Sequence, residues 1–381
     1  MNRARKRRST ILIKNAFRVS SWREQQAKSH ILCENGKITG IFQDVSPRFK
    51  NIDIIDAKGL YLFPGFIDLH VHGGGNASIW RSNSKDVENI CRTHAKFGTT
   101  GLLITTFPDT ATHLSSQIKA ISETNNSHGA KILGIHLEGP HLNPVKTGGL
   151  PPERLRILSV QEIENLQKLS RYPIKMITFA PEMEGADEII SFCKENNIVA
   201  SVAHTCASPE MMRSAIDKGI RHATHIFNTY MFPRNAREPG ALETILLDKR
   251  VTVQLIADLV TVKEEFVKLL LLIKGWQKIA LITDAGSVAG TCGAPEVMRA
   301  KDGRIIASTL TMNKAVCIMT HVGIPLEKSV RMASEIPAKI ISVSKNKGSI
   351  SIGRDADLLL IDENLNVKLT MCEGNIVFSS L

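Results

Sequence analysis

Short apolar runs recur through the middle of the chain, separated by stretches whose apolar positions repeat at helical spacing. The predicted strands are residues 65–70, 101–105, 132–137, 175–179, 199–204, 222–225, 251–256 and 279–283. The predicted helices include residues 160–169, 186–195, 209–218 and 263–274. Near-continuous apolar strands that alternate with helices are typical of a parallel sheet covered on both faces. Eight such units predict an α/β fold with a closed (β/α)8 TIM-type barrel.

An open, doubly wound sheet is the alternative, and it should carry a glycine-rich phosphate turn after its first strand. Here that turn carries His70-Val71-His72 instead, which favours the barrel.

Both ends of the chain have β character. Short β-type runs occupy residues 10–13, 30–33, 38–42 and 52–56, and again residues 358–361, 367–370 and 376–378. Because chain termini often lie close together, we predict one small β-sandwich domain built from residues 1–63 plus 341–381. The catalytic barrel then spans residues 64–340.

Charge and cysteine content narrow the class of protein. The net charge is +11, and five cationic residues fall within residues 1–9, which we interpret as a solvated, disordered tail and not as a nucleic-acid site. No apolar run reaches the roughly 18 residues of a membrane helix. The seven cysteines are irregularly spaced and form no CxxC pair, as expected of reduced thiols in the cytoplasm.

Strand after strand of the predicted barrel ends in a residue type that binds metals or transfers protons. The chemistry of a barrel gathers at the C-terminal ends of its strands. These residues are His70, His72, Glu138, His204, His225 and Asp284.

Each of these residues has an ordinary structural explanation when it is considered alone. A lone histidine at a strand end is more often hydrogen-bonded than ligating, and an Asp after a strand often caps the next helix. Six donors at five strand ends on one rim are poorly explained in that way. Imidazole and carboxylate together suit zinc or another divalent transition metal, so we predict one or two ions per chain.

Several longer motifs follow in a fixed order. They include Pro64-Gly-Phe-Ile-Asp-Leu-His-Val-His-Gly-Gly-Gly75, Gly134-Ile-His-Leu-Glu-Gly-Pro140, His222-Ala-Thr-His-Ile-Phe-Asn228, Arg237-Glu-Pro-Gly240 and Ile282-Thr-Asp-Ala285. With these motifs the chain resembles the amidohydrolase superfamily and, within it, the N-acetylglucosamine-6-phosphate deacetylase family.

The resemblance implies a role for each of these residues. Glu138, His204 and His225 would bind the catalytic metal, and His70 with His72 a second ion. Asp284 would be the general base and then the general acid. Asn228, the backbone near Thr229, and Arg237 would bind an amino-sugar phosphate, with Arg237 reaching into the neighbouring subunit of a homodimer.

Two positions depart from the family pattern. Leu150 and Thr261 stand where the family usually has histidines that contact the substrate. Leu150 cannot donate a hydrogen bond to a developing oxyanion, and Thr261 is expected to donate one over a shorter reach. Losing one such donor costs roughly 100- to 1,000-fold in rate, so we expect weaker activity than is usual in the family.

Two other functions stay open from the sequence. One is a related amidohydrolase with a different acyl-amino substrate. The other is a weakly active sugar-phosphate-binding protein.

Overall fold

The computed structural model describes residues 10–18, 28–44, 52–230 and 237–381. The predicted basic tail at residues 1–9 lies outside these ranges. The strands are β1 (Thr10–Arg18), β2 (Lys28–Glu34), β3 (Lys37–Phe42), β4 (Asp53–Asp56), β5 (Tyr61–Pro64), β6 (Phe66–Val71), β7 (Gly73–Gly74), β8 (Ala77–Ser78), β9 (Thr99–Thr106), β10 (Lys131–Glu138), β11 (Ile174–Phe179), β12 (Val199–Val202), β13 (His222–Ala223), β14 (Thr252–Ile256), β15 (Ile279–Ile282), β16 (Val297–Arg299), β17 (Ile305–Ser308), β18 (Leu358–Ile361), β19 (Val367–Cys372) and β20 (Asn375–Ser379). The helices are α1 (Ser84–Lys96), α2 (Ala111–Glu123), α3 (Val160–Lys168), α4 (Ala186–Glu195), α5 (Pro209–Lys218), α6 (Ala241–Leu247), α7 (Glu264–Lys274), α8 (Met312–His321), α9 (Leu326–Ala333) and α10 (Glu335–Ile340).

The predicted barrel is present. Among the described residues, eight parallel strands pair in the order β15-β14-β13-β12-β11-β10-β9-β6. The last strand meets the first through a parallel bridge between Val71 and Ala285, and the Asp284 amide donates to the His70 carbonyl at 3.0 Å. This sheet is therefore a nearly closed barrel, as in TIM-type folds. The helices pack around it because their apolar faces need a partner, and α5 starts where the Ser208 side chain caps its first turn.

Strands from both chain ends share a second sheet. Within the described ranges it has eight strands, in the order β20-β19-β18-β5-β1-β2-β3, with β4 paired to β1. An apolar cluster separate from that of the barrel covers it, including Ile13, Ile31, Leu62, Leu358 and Met371. The two termini therefore build one sheet, whereas its sandwich form and the domain limits stay predictions.

Two barrel strands are shorter than predicted. The strand expected at 199–204 ends at Val202, and that expected at 222–225 ends at Ala223. His204 and His225 leave the ladder because their backbones turn into the left-handed region.

No helix among the described residues is long and apolar enough to cross a membrane.

Candidate active site

One half of the site joins Glu138 to two histidines. Glu138 is the last residue of β10, and His204 and His225 follow β12 and β13. The Glu138 Oε1 atom lies 2.9 Å from His225 Nε2 and 3.4 Å from His204 Nε2. All three side chains are buried, and their ligand atoms lie within 4.8 Å of one another. This spacing brings three donors close enough to share one divalent ion.

The other half of the site joins the two histidines of β6 and the loop behind it to Asp284. His70 Nε2 lies 3.0 Å from His72 Nε2, and Asp284 Oδ1 lies 3.4 Å and 3.6 Å from these two atoms. Glu138 Oε2 is 3.1 Å from His72 Nε2, so Glu138 stands between the two halves. The donors fit one ion or two neighbouring ions, as expected of an imidazole and carboxylate set.

The charges of the site compensate one another. Burial lowers the pKa of His70, but the carboxylates of Asp284 and Glu138 outweigh burial and raise that pKa to about 9. Burial raises the pKa of Glu138, but the charge of His70 and the hydrogen bonds from His204 and His225 hold it well below its usual value. The Glu138 carboxylate therefore stays ionised, and its negative charge can be balanced by a metal ion or by protons on the histidines, which compete for the site.

Left-handed backbone turns aim these side chains at the barrel axis. His204, His225 and Asp284 have φ angles of 49°, 31° and 48°. A non-glycine residue in this region costs on the order of 1–3 kcal/mol and persists only where its surroundings hold it. The His204 amide donates to Thr229 Oγ1 at 3.1 Å, and the Asp284 amide is held by His70.

Acceptors around the site orient three of the imidazoles. The Nδ1 atoms of His70, His72 and His204 donate to Gln254 Oε1, the Thr105 carbonyl and the Lys146 carbonyl at 3.2, 3.0 and 2.8 Å. Each Nε2 atom thereby faces the centre, where its lone pair would be available to a metal ion that displaces its proton. His225 Nδ1 is buried with no hydrogen-bond partner among the described residues.

Asp68 is a site residue that the sequence analysis missed. It is fully buried, and its Oδ1 accepts from the amides of His70 and Thr283 at 3.2 and 3.3 Å. Its Oδ2 accepts from Thr283 Oγ1 at 2.6 Å. Asp68 therefore joins β6 to the end of β15 and positions His70 relative to Asp284. Its place two residues before His70 was the available signal.

A cavity of about 290 Å³ opens above the centre. The donors His72, Glu138, His204, His225 and Asp284 line it. Its walls include Phe107, Leu150, Phe227, Asn228, Thr229, Ile256, Thr261 and Ile306. Both departures from the family pattern therefore face this cavity. No lysine or arginine of the described residues, Arg237 included, lines it.

Two of the three predicted substrate contacts lie in this cavity. The side-chain amide of Asn228 has no protein partner within the described ranges, which leaves it free for a ligand. The Thr229 hydroxyl is used within the protein, since it donates to the Asn228 carbonyl and accepts from His204. The Thr229 backbone amide, which has no acceptor in the described part of the chain, is left to donate to a substrate.

Comparison with known proteins identifies the family. The model of the amidohydrolase family matches residues 61–377. An N-acetylglucosamine-6-phosphate deacetylase of Bacillus subtilis (strain 168) is 31% identical over 390 residues, which cover 97% of this chain and 98% of that protein. The chain belongs to the N-acetylglucosamine-6-phosphate deacetylase family of amidohydrolases.

Other members of this deacetylase family match along nearly their whole length. An N-acetylgalactosamine-6-phosphate deacetylase of Escherichia coli O157:H7 is 30% identical, over 88% of this chain and 92% of that protein. The crystal structure of the deacetylase from Pasteurella multocida has a TM-score of 0.87 at 26% identity, covering 96% of this chain and 99% of that one. An aspartate-to-alanine mutant of the Mycobacterium smegmatis deacetylase, in complex with N-acetyl-D-glucosamine-6-phosphate, has a TM-score of 0.86 at 26% identity, covering 97% and 100%.

Proposed function

We propose that this chain is a metal-dependent deacetylase that converts N-acetylglucosamine 6-phosphate and water into glucosamine 6-phosphate and acetate. The observation that carries the proposal is the buried set of Glu138, His204 and His225 beside Asp284, at the floor of one cavity. Membership of the deacetylase family supports the substrate class.

Asp284 is the group that moves the proton in this proposal. It lines the cavity, and its carboxylate is partly open, with 18% of the side chain exposed. The carboxylate accepts a proton as a water molecule attacks the acetyl carbon, and then donates it to the nitrogen as the carbon–nitrogen bond breaks. A divalent ion held by Glu138, His204 and His225 would supply Lewis acidity and lower the pKa of water.

The other residues of the cavity orient the substrate. Asn228 and the Thr229 amide contact the sugar, because both face the cavity without protein partners among the described residues. Arg237 of a neighbouring subunit binds the phosphate, for which a guanidinium is well shaped. No lysine or arginine of the described residues lines the cavity, which supports a homodimer in which the second subunit supplies the residue that binds the phosphate.

The ion, the location and the domain limits complete the proposal. Zinc is the ion that best suits a set of two histidines and one carboxylate. All seven cysteines are free, which supports a reducing, cytoplasmic location. The separate apolar cluster of the terminal strands supports a small β-sandwich domain of residues 1–63 plus 341–381 beside a barrel of residues 64–340.

A direct assay tests this function. Purified protein loaded with zinc is incubated with N-acetylglucosamine 6-phosphate, and released acetate and free amine are quantified together. N-acetylgalactosamine 6-phosphate and unphosphorylated N-acetylglucosamine are run in parallel. We expect equimolar acetate and amine from the phosphorylated glucosamine derivative. Absence of both products at high enzyme concentration, with zinc present, contradicts the proposal.

A further inference from the structure

One wall of the cavity is organised by Asp258, which follows β14. Asp258 Oδ1 accepts from the amides of Val260 and Thr261 at 2.9 and 2.7 Å. Its Oδ2 accepts from the hydroxyls of Thr261 and Ser308 at 2.6 and 3.1 Å. An ionised carboxylate offers about four acceptor positions. Asp258 therefore has all of them filled by this wall, and it holds the two hydroxyls in fixed directions.

The Thr261 hydroxyl is thereby set as an acceptor towards the cavity. A hydroxyl has one hydrogen and two lone pairs, and the hydrogen of Thr261 is donated to Asp258. No described group donates to Thr261 Oγ1, although the residue lines the cavity. The Ser308 hydroxyl differs, because it also accepts from the Leu310 amide at 3.1 Å. In this arrangement the Thr261 hydrogen is used within the protein, whereas the sequence analysis expected it to be donated to the substrate.

An acceptor at Thr261 Oγ1 favours some chemical groups of a ligand over others at this position. Carbonyl and phosphate oxygens also present lone pairs, so they are disfavoured beside Thr261 Oγ1, whereas a ring hydroxyl can donate to it. Leaving a buried acceptor unpaired costs more than the bond itself contributes. The wall therefore distinguishes a ligand that carries a hydroxyl here from one that lacks it.

We propose that Thr261 is a specificity-determining residue that accepts a hydrogen bond from one ring hydroxyl of the substrate, and that Asp258 positions it. This proposal rests on the proposed function, because it takes an amino-sugar phosphate as the ligand. It assigns to this wall a neutral sugar hydroxyl, and it places the acetyl carbonyl and the phosphate elsewhere in the site.

Binding measurements test the proposal without depending on turnover. Calorimetry on zinc-loaded Asp284→Asn protein measures the affinity for N-acetylglucosamine 6-phosphate and for its monodeoxy analogues, each lacking one ring hydroxyl. Thr261→Val in the same background should weaken binding of the parent sugar by about 5- to 10-fold, the size of one neutral hydrogen bond. One monodeoxy analogue, the one that lacks the hydroxyl recognised by Thr261, should bind with the same affinity to the protein with Thr261 and to the Thr261→Val variant. Thr261→Ser should restore binding of the parent sugar.

A matched variant separates lost recognition from a damaged wall. Ser308→Ala removes the other hydroxyl that donates to Asp258 Oδ2, and we expect it to change all affinities by one common factor. If Thr261→Val also weakens every ligand equally, or leaves the parent unchanged, the proposal is overturned. It is overturned as well if no sugar of the series binds. If wild-type protein releases no acetate but the binding pattern appears, the deacetylation fails and the recognition by Thr261 stands.

Discussion

Replacing Asp284 by asparagine should remove the reaction and leave intact the fold and the proposed metal site of Glu138, His204 and His225. The amide has nearly the same shape and tolerates the left-handed φ of 48° as aspartate does. It cannot take a proton from water, so the rate should fall by about 100- to 10,000-fold. That loss corresponds to roughly 3–5 kcal/mol of transition-state stabilisation.

The geometry also predicts what this substitution spares. Asp284 Oδ1 lies 3.4 and 3.6 Å from the Nε2 atoms of His70 and His72. It does not belong to the group formed by Glu138 and its two histidines. Its backbone amide still donates to the His70 carbonyl in the variant. We therefore expect at least one equivalent of metal, while an ion held by His70 and His72 would bind less tightly.

The assay pairs initial rates of acetate release with metal analysis of the same sample. Asp187→Asn is the control, since its side chain is 62% exposed and pairs with Lys218 on the surface. The control should keep the wild-type rate and metal content. An Asp284→Asn enzyme that retains more than about a tenth of the wild-type rate would show that another group is the base. Loss of all metal would show that Asp284 is needed to form the Glu138 site.

Four further outcomes are expected. Protein purified without chelator should contain about one equivalent of zinc or more, and less than about a tenth, unrecovered on adding zinc, contradicts the metal site. Light scattering at micromolar concentration should show a dimer, and Arg237→Ala should raise the KM for the phosphorylated sugar; a monomer alone contradicts both. Leu150→His should raise kcat about 10-fold or more, since one oxyanion donor is worth roughly 100- to 1,000-fold; an unchanged rate in the variant, with a wild-type rate already ordinary for the family, refutes this. Lys347→Met should lower the free energy of unfolding in urea by about 3–5 kcal/mol, because three carboxylates lose an ammonium at 2.9, 2.9 and 3.1 Å, of which Asp355 keeps a second one, Lys37; a change below about 1 kcal/mol would refute it.

Periodic patterns within single segments determined much of the fold in advance. The helices expected at 186–195 and 209–218 have those bounds, because their apolar faces and, in the second helix, the Ser208 cap are local features. The convergence of the candidate metal donors was also predictable. Parallel strands of a barrel bring their C-terminal ends to one rim, so the residue after each strand shares a site with the others.

Tertiary structure alone decided the directions of the side chains and their hydrogens. Asp68 is hydrogen-bonded to Thr283, which lies 215 residues away in the sequence. Gln254 is hydrogen-bonded to His70, which lies 184 residues away. The left-handed turns at His204 and His225 likewise depend on neighbours from other strands, and no local propensity favours them. The Thr261 hydroxyl became an acceptor because Asp258 takes its hydrogen. The sequence pattern predicts which residues line the site, but only the packed barrel determines which atom of each residue faces the site.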